Sequence, residues 1–187
     1  PMKETHKAVL KLAKKNHAII SFDPNIRLPL WSSAEACQET VREFLPYADL
    51  VKLSDEECFF VTGKHSILDA ADWLFEQGCK MVLYSMGKEG AMILTPHFSS
   101  HVENPEVRVK DTTGAGDAII GAYLYCLAKN HITVSQLATC SPEQVQEWLT
   151  FAVYYANYSI TKSGAIASYP DYTTFVKWMQ EKRKKTH

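Results

Sequence analysis

The run Asp111-Thr112-Thr113-Gly114-Ala115-Gly116-Asp117 sets two glycines one residue apart between carboxylates. It follows a strand-like stretch, 107–110, and opens the apolar run 118–129, which reads as a buried helix. Glycines here let successive backbone N–H groups converge at the positive end of the new helix, where anions are favoured. The amides of Gly114, Ala115 and Gly116 would then stabilise charge on a phosphoryl group in transit, and Asp117 would take the proton of an attacking hydroxyl. An anion hole beside a base suits phosphoryl transfer. The plainer reading is a tight turn whose aspartate complements the helix dipole.

Three further polar groupings stand at the ends of predicted elements. Asp23, Asn25 and Arg27 leave the carboxyl end of a strand expected at 17–23, where Asp23 could simply brace the turn before Pro24. Ser54-x-x-Glu57 has the form of a capping box. Gly87-x-x-Gly90, preceded by Ser85, fits either a hairpin turn or a close approach of ligand to backbone. The seven histidines show no ligand spacing.

DTTGAGD resembles the carboxy-proximal signature of the ribokinase-like (PfkB) carbohydrate kinases. Asp23-Pro24-Asn25-Ile26-Arg27 followed by Leu30-Trp31 resembles the DPNxR…LW segment of their bacterial fructokinase branch. The resemblance implies Asp117 as general base, with Gly114, Ala115 and Gly116 forming the anion hole. It implies a nucleotide site drawn from Asn25, Arg27, Ser85, Gly87, Gly90, Thr112, Gly114, Gly116 and Val153. Val153 stands where the family often has Asn or His near the adenine, so apolar contact and backbone groups are expected there, while Asn157 reads as a surface residue. Glu57 would organise Mg²⁺ through water, with Ser54 in place of the family's Asn. Asp111 and Thr113 would help to hold a monovalent cation, usually K⁺, with Gly164 and Ser168, the alternative for Asp111 being a turn cap.

The activity implied by the resemblance is that of an ATP-dependent sugar kinase of fructokinase type, with ribokinase, nucleoside kinase or sugar-phosphate kinase as rivals. A non-catalytic nucleotide-binding module is the rival of another class. The resemblance covers the carboxy-terminal part of the family only. Residues 1–187 would be the nucleotide-binding and catalytic part of a three-layer α/β/α domain with a mostly parallel sheet. The family's amino-terminal strands, sugar-binding glycines and lid would be absent. This chain alone is therefore expected to be inactive, and the full-length enzyme to be a cytoplasmic homodimer.

Composition agrees with small-molecule partners. Twenty basic residues against 21 acidic ones give no field for nucleic acid or an anionic membrane. Five cysteines without CxxC spacing read as buried free thiols, and no run reaches membrane-spanning length. The cluster Lys182 to Lys185 reads as a solvated helix end. The elements alternate. Strands are expected at 49–53, 81–86 and 91–95, with an extended stretch at 101–110. Helices are expected after Ser32, after Ser54, at 67–77 before Gly78, at 118–129, after Ser141 and at 172–182. An amphipathic pattern with Ala8, Val9, Leu12 and Ala13 opens the chain. Alternation of this kind argues for a sheet covered by helices, with sites at the carboxyl ends of its strands.

Overall fold

A computed structural model describes residues 2–184, so Lys185 of the terminal cluster lies outside the described residues. One five-stranded sheet runs in the order β1 (Ser21–Phe22), β2 (Leu50–Ser54), β3 (Met81–Ser85), β4 (Ala91–Leu94) and β5 (Ser99–Val102). The pairings β1–β2 and β2–β3 are parallel, as βαβ crossovers require, and the β3–β4 and β4–β5 pairings are antiparallel. The sheet is thus mixed, its parallel part being the half that carries Asp23 and Glu57.

Period-two alternation divides the strands between two cores. Leu50, Met81, Leu83, Ala91 and Ile93 face α5 (Ala115–Lys129) and α6 (Pro142–Ser159). Val51, Leu53, Val82 and Leu94 face α2 (Ala34–Phe44), α3 (Asp55–Thr62) and α4 (Ile67–Glu76). Three layers result. Each fully buried leucine of these faces, such as Leu50 or Leu149, contributes about 1.5–3 kcal/mol by leaving water. The expected stripe of α6 (Val145, Trp148, Leu149, Ala152, Val153 and Ala156) is buried throughout. The closing helix α7 (Tyr172–Arg183) sinks Phe175 and Met179 against Tyr154 and Tyr158. By contrast α1 (Met2–Lys15) buries no residue, although it follows the expected amphipathic pattern.

Several boundaries differ from the sequence pattern. The strand expected at 17–23 pairs only through Ser21 and Phe22, because Ala18 N–H still closes the end of α1 on Ala13 and Ile20 N–H is taken by the Asp49 carboxylate. Ser33, not Ser32, caps α2, its hydroxyl accepting from Ala36 N–H. The extended stretch at 101–110 pairs only as far as Val102. Helix α5 begins at Ala115, three residues before its apolar run, and that early start shapes the site.

Candidate active site

Helices α2, α3, α4, α6 and α7 each begin at a Ser or Asp whose side chain accepts a first-turn N–H. Helix α5 begins differently. Its N-cap is Gly114, left-handed at φ 79°, and no side chain caps it. A Cβ at Gly114 would lie 2.8 Å from the Tyr169 hydroxyl and 2.9 Å from the Ala165 Cβ, so only glycine fits. Tyr169 holds the turn from outside by donating to the Gly114 carbonyl at 2.9 Å. Of the three amides expected to form the anion hole, that of Ala115 instead closes the turn onto the Thr112 carbonyl, at 3.1 Å. The N–H groups of Gly114, Gly116 and Asp117 donate to nothing among the described residues. Open donors at a helix's positive end suit an anion.

Hollows open on both sides of this turn. On one side a cleft of about 160 Å³ brings together Ser85, Gly87, Gly90, Gly116 and Val153, five of the residues expected to hold nucleotide, with Ala115 beside them. Thr112 and Gly114 shape the loop, while Asn25 and Arg27 do not line this cleft. Both are exposed, and Arg27 turns back to donate to the Ile26 carbonyl. Gly90 is demanded by its neighbour strand, since a Cβ there would stand 2.0 Å from the Val102 carbonyl oxygen. On the other side Asp117 borders a hollow of about 290 Å³ walled by Tyr125, Phe151, Tyr155, Tyr169 and Phe175. Burial, and then the nearby Asp117 charge, push the Tyr169 hydroxyl above its ordinary pKa. A larger hollow of about 650 Å³, beside Arg108, Lys110 and Trp178, contains none of the candidate residues.

Two residues near this turn and cleft were not read as functional from the sequence. Asn157 is buried rather than superficial. Its amide donates to Asn104 Oδ1 at 2.8 Å and to the Val153 carbonyl at 2.9 Å, and Asn104 in turn donates to the Gly87 carbonyl at 2.8 Å. The signal was its position four residues after Val153, on the buried stripe of α6. Lys52 is the other. Only 7 % exposed, it leaves the α5 face of β2 and reaches Asp23 at 3.3 Å and Glu57 at 3.8 Å. A lysine inside the strand Leu-Val-Lys-Leu was the available sign.

Glu57 realises the capping box: Ser54 N–H and hydroxyl donate to its Oε2, and Ile26 N–H donates to its Oε1. Burial opposes its charge, but the Ser54 and Ile26 amides and Lys52 together hold it below the usual carboxylate range. No group of three or more acidic, His or Cys side chains able to cage a metal occurs among the described residues. This donor set fits outer-sphere contact with a nucleotide-bound Mg²⁺ and not a protein cage. Asp111 joins the two loops expected to share a cation, accepting Gly164 N–H and Thr113 N–H at 2.9 Å each. These bonds, Gly164's foremost, lower its pKa to about 2. The buried Ser168 hydroxyl donates to the Ala165 carbonyl within its own turn. All five cysteines are free and buried, and no described helix is long and apolar enough to cross a membrane.

Comparison with known proteins gives a consistent result. A family profile described as pfkB family carbohydrate kinase matches residues 1–172. Fructokinase-2 of Solanum habrochaites is 34% identical over 171 residues, which are 91% of this chain and 51% of that protein. The chain spans about half the length of the curated relatives it matches. Among solved structures, a fructokinase with bound ATP from Xylella fastidiosa superposes with TM-score 0.88 at 26% identity, over 96% of this chain and 57% of its own. A fructokinase double mutant from Vibrio cholerae O395, bound to fructose, ADP and potassium ion, gives TM-score 0.84 at 29% identity, over 96% and 56% of the two chains.

Proposed function

The chain belongs to the pfkB family of carbohydrate kinases, and from that premise we propose that it carries the nucleotide and phosphoryl-transfer half of an ATP-dependent sugar kinase, with fructose as the acceptor to test first. The observation that carries the reading is the uncapped start of α5, whose open N–H groups lie between the cleft lined by Ser85, Gly87, Gly90 and Val153 and the Asp117 hollow. The choice of fructose leans on the fructokinase relatives and on the DPNIR…LW segment. Residues 1–187 then correspond to the carboxy-proximal part of the family's large domain.

In this reading the nucleotide lies between the Gly87–Gly90 turn and α6, with its terminal phosphate against Gly116 and Asp117 N–H. The acceptor hydroxyl approaches from the Asp117 side. Its oxygen forms a bond to the γ-phosphorus as the bond to the bridging β–γ oxygen breaks, and its proton passes to the Asp117 carboxylate. Mg²⁺ would be held by the nucleotide phosphates, with Glu57 ordering one of its waters, and would neutralise phosphate charge. Asp111 and the loops it ties would seat a K⁺ ion beside the same turn. Most of the rate then comes from positioning and fixed charge.

Calorimetric titration of MgATP into the 187-residue chain tests the nucleotide half of this reading. Saturable one-to-one binding that survives Asp117→Asn is expected. No binding under any magnesium or potassium condition would overturn it.

A further inference from the structure

We propose that Lys52 is a further substrate-contacting residue, its ammonium meeting the terminal phosphate of bound nucleotide from beneath the first turn of α5. The inference rests on the proposed nucleotide site and adds a residue that neither signature segment contains.

Lys52 lies on a sheet face otherwise given to apolar packing, between Leu50 and α5, and is more than nine-tenths buried. Keeping a charge there is costly unless it is paired or used. Pairing explains part of it, since Asp23 Oδ2 lies at 3.3 Å, Asp23 Oδ1 at 3.4 Å and Glu57 Oε2 at 3.8 Å. Those distances are long for charge-assisted hydrogen bonds, which run nearer 2.7–2.9 Å. The ammonium is therefore held without being fully engaged.

Its position gives the third partner. A Cβ on Gly116 would stand 3.2 Å from Lys52 Nζ and 3.8 Å from Cε, with nothing else so near. The ammonium thus lies beside Gly116, one of the residues whose N–H groups are open. An anion taken up by Gly116 and Asp117 would also fall within reach of Nζ. A side chain at Gly116 would press on the ammonium, and glycine leaves that approach open. The group of Lys52, Asp23 and Glu57 carries a net charge of about −1, which would repel phosphate if the ammonium were remote. Burial outweighs Lys52 in raising the Asp23 pKa, so Asp23 is incompletely compensated. Contact with Lys52 turns an acidic floor into one that accepts the terminal phosphate.

The test compares MgATP and MgADP affinity of the 187-residue chain with those of Lys52→Met and of Lys52→Met/Asp23→Asn. The double variant keeps the net charge of the group, so it removes the contact without deepening the negative field, and it leaves no unpaired Asp23 to unfold the chain. The expected result is a loss of at least about tenfold in ATP affinity in both variants, the scale of one charge-assisted hydrogen bond, with ADP affinity changed by less than about threefold. An unaltered ATP-to-ADP ratio in a folded double variant would overturn the proposal while leaving the nucleotide reading intact. Failure of the unsubstituted chain to bind either nucleotide would overturn both.

Discussion

Asp117 occupies the third position of α5, exposed, with its own N–H and that of Gly116 uncommitted beside it. If it is the base, Asp117→Asn in the longer enzyme lowers turnover about 10²–10⁴-fold. ATP affinity should stay nearly unchanged, because asparagine leaves the amides in place. Steady-state rates with a binding titration check this, and activity within about threefold of the unsubstituted enzyme would remove Asp117 from that role. Gly114→Ala attacks the same turn through the backbone. It forces a φ of 79° on a residue with a side chain and drives a Cβ into Tyr169 and Ala165, costing about 1–3 kcal/mol. Denaturant unfolding should show that loss, together with weakened nucleotide binding. The glycines and Asp117 were legible in the sequence because their conformational and charge demands are local. Lys52 and Asn157 were harder to read. Their meaning depends on which residues the fold brings against them, and Asn104 lies 53 positions from Asn157.

At the scale of elements, the loops at 111–113 and 164–168, expected from resemblance to share a monovalent cation, are joined by one carboxylate. Bonds from Gly164 and Thr113 depress Asp111 from an ordinary value of 3.8 to about 2. A depressed carboxyl contributes its tie above the unfolded value and loses it as pH falls through the folded one. The Gly164 amide should therefore hold its chemical shift down to about pH 3 and move below that, with a midpoint near pH 2. In Asp111→Asn that movement should vanish, and persistence of the same transition would assign it elsewhere. Hydrogen exchange should separate the helices in the same spirit. Helix α1 buries nothing and should exchange within the fraying range, whereas α5 and α6, whose faces fill the larger core, should exchange near the global limit. Helix positions were readable from caps and stripes. The ends of β1 were not, because Ala18 and Ile20 give their N–H groups to partners outside the strand ladder.

Over the whole molecule, the sheet has two edge strands, β1 and β5. Strand β1 pairs with β2 alone among the described strands, and Val9 and Leu12 of α1 are more than half exposed. Unpaired strand groups and exposed apolar residues both favour association. Sedimentation of the 187-residue chain should show concentration-dependent association that Val9→Lys/Leu12→Lys weakens, and an unassociated chain at high concentration would refute this. The central claim is that nucleotide is bound across the first turn of α5. An ¹⁵N-resolved titration with MgATP, followed over all backbone amides, tests it most directly. Saturable shifts should concentrate at Gly87, Gly90, Gly116, Asp117 and Asn157. Shifts gathered instead around Arg108, Lys110 and Trp178, with Gly116 and Asp117 unmoved, would contradict it.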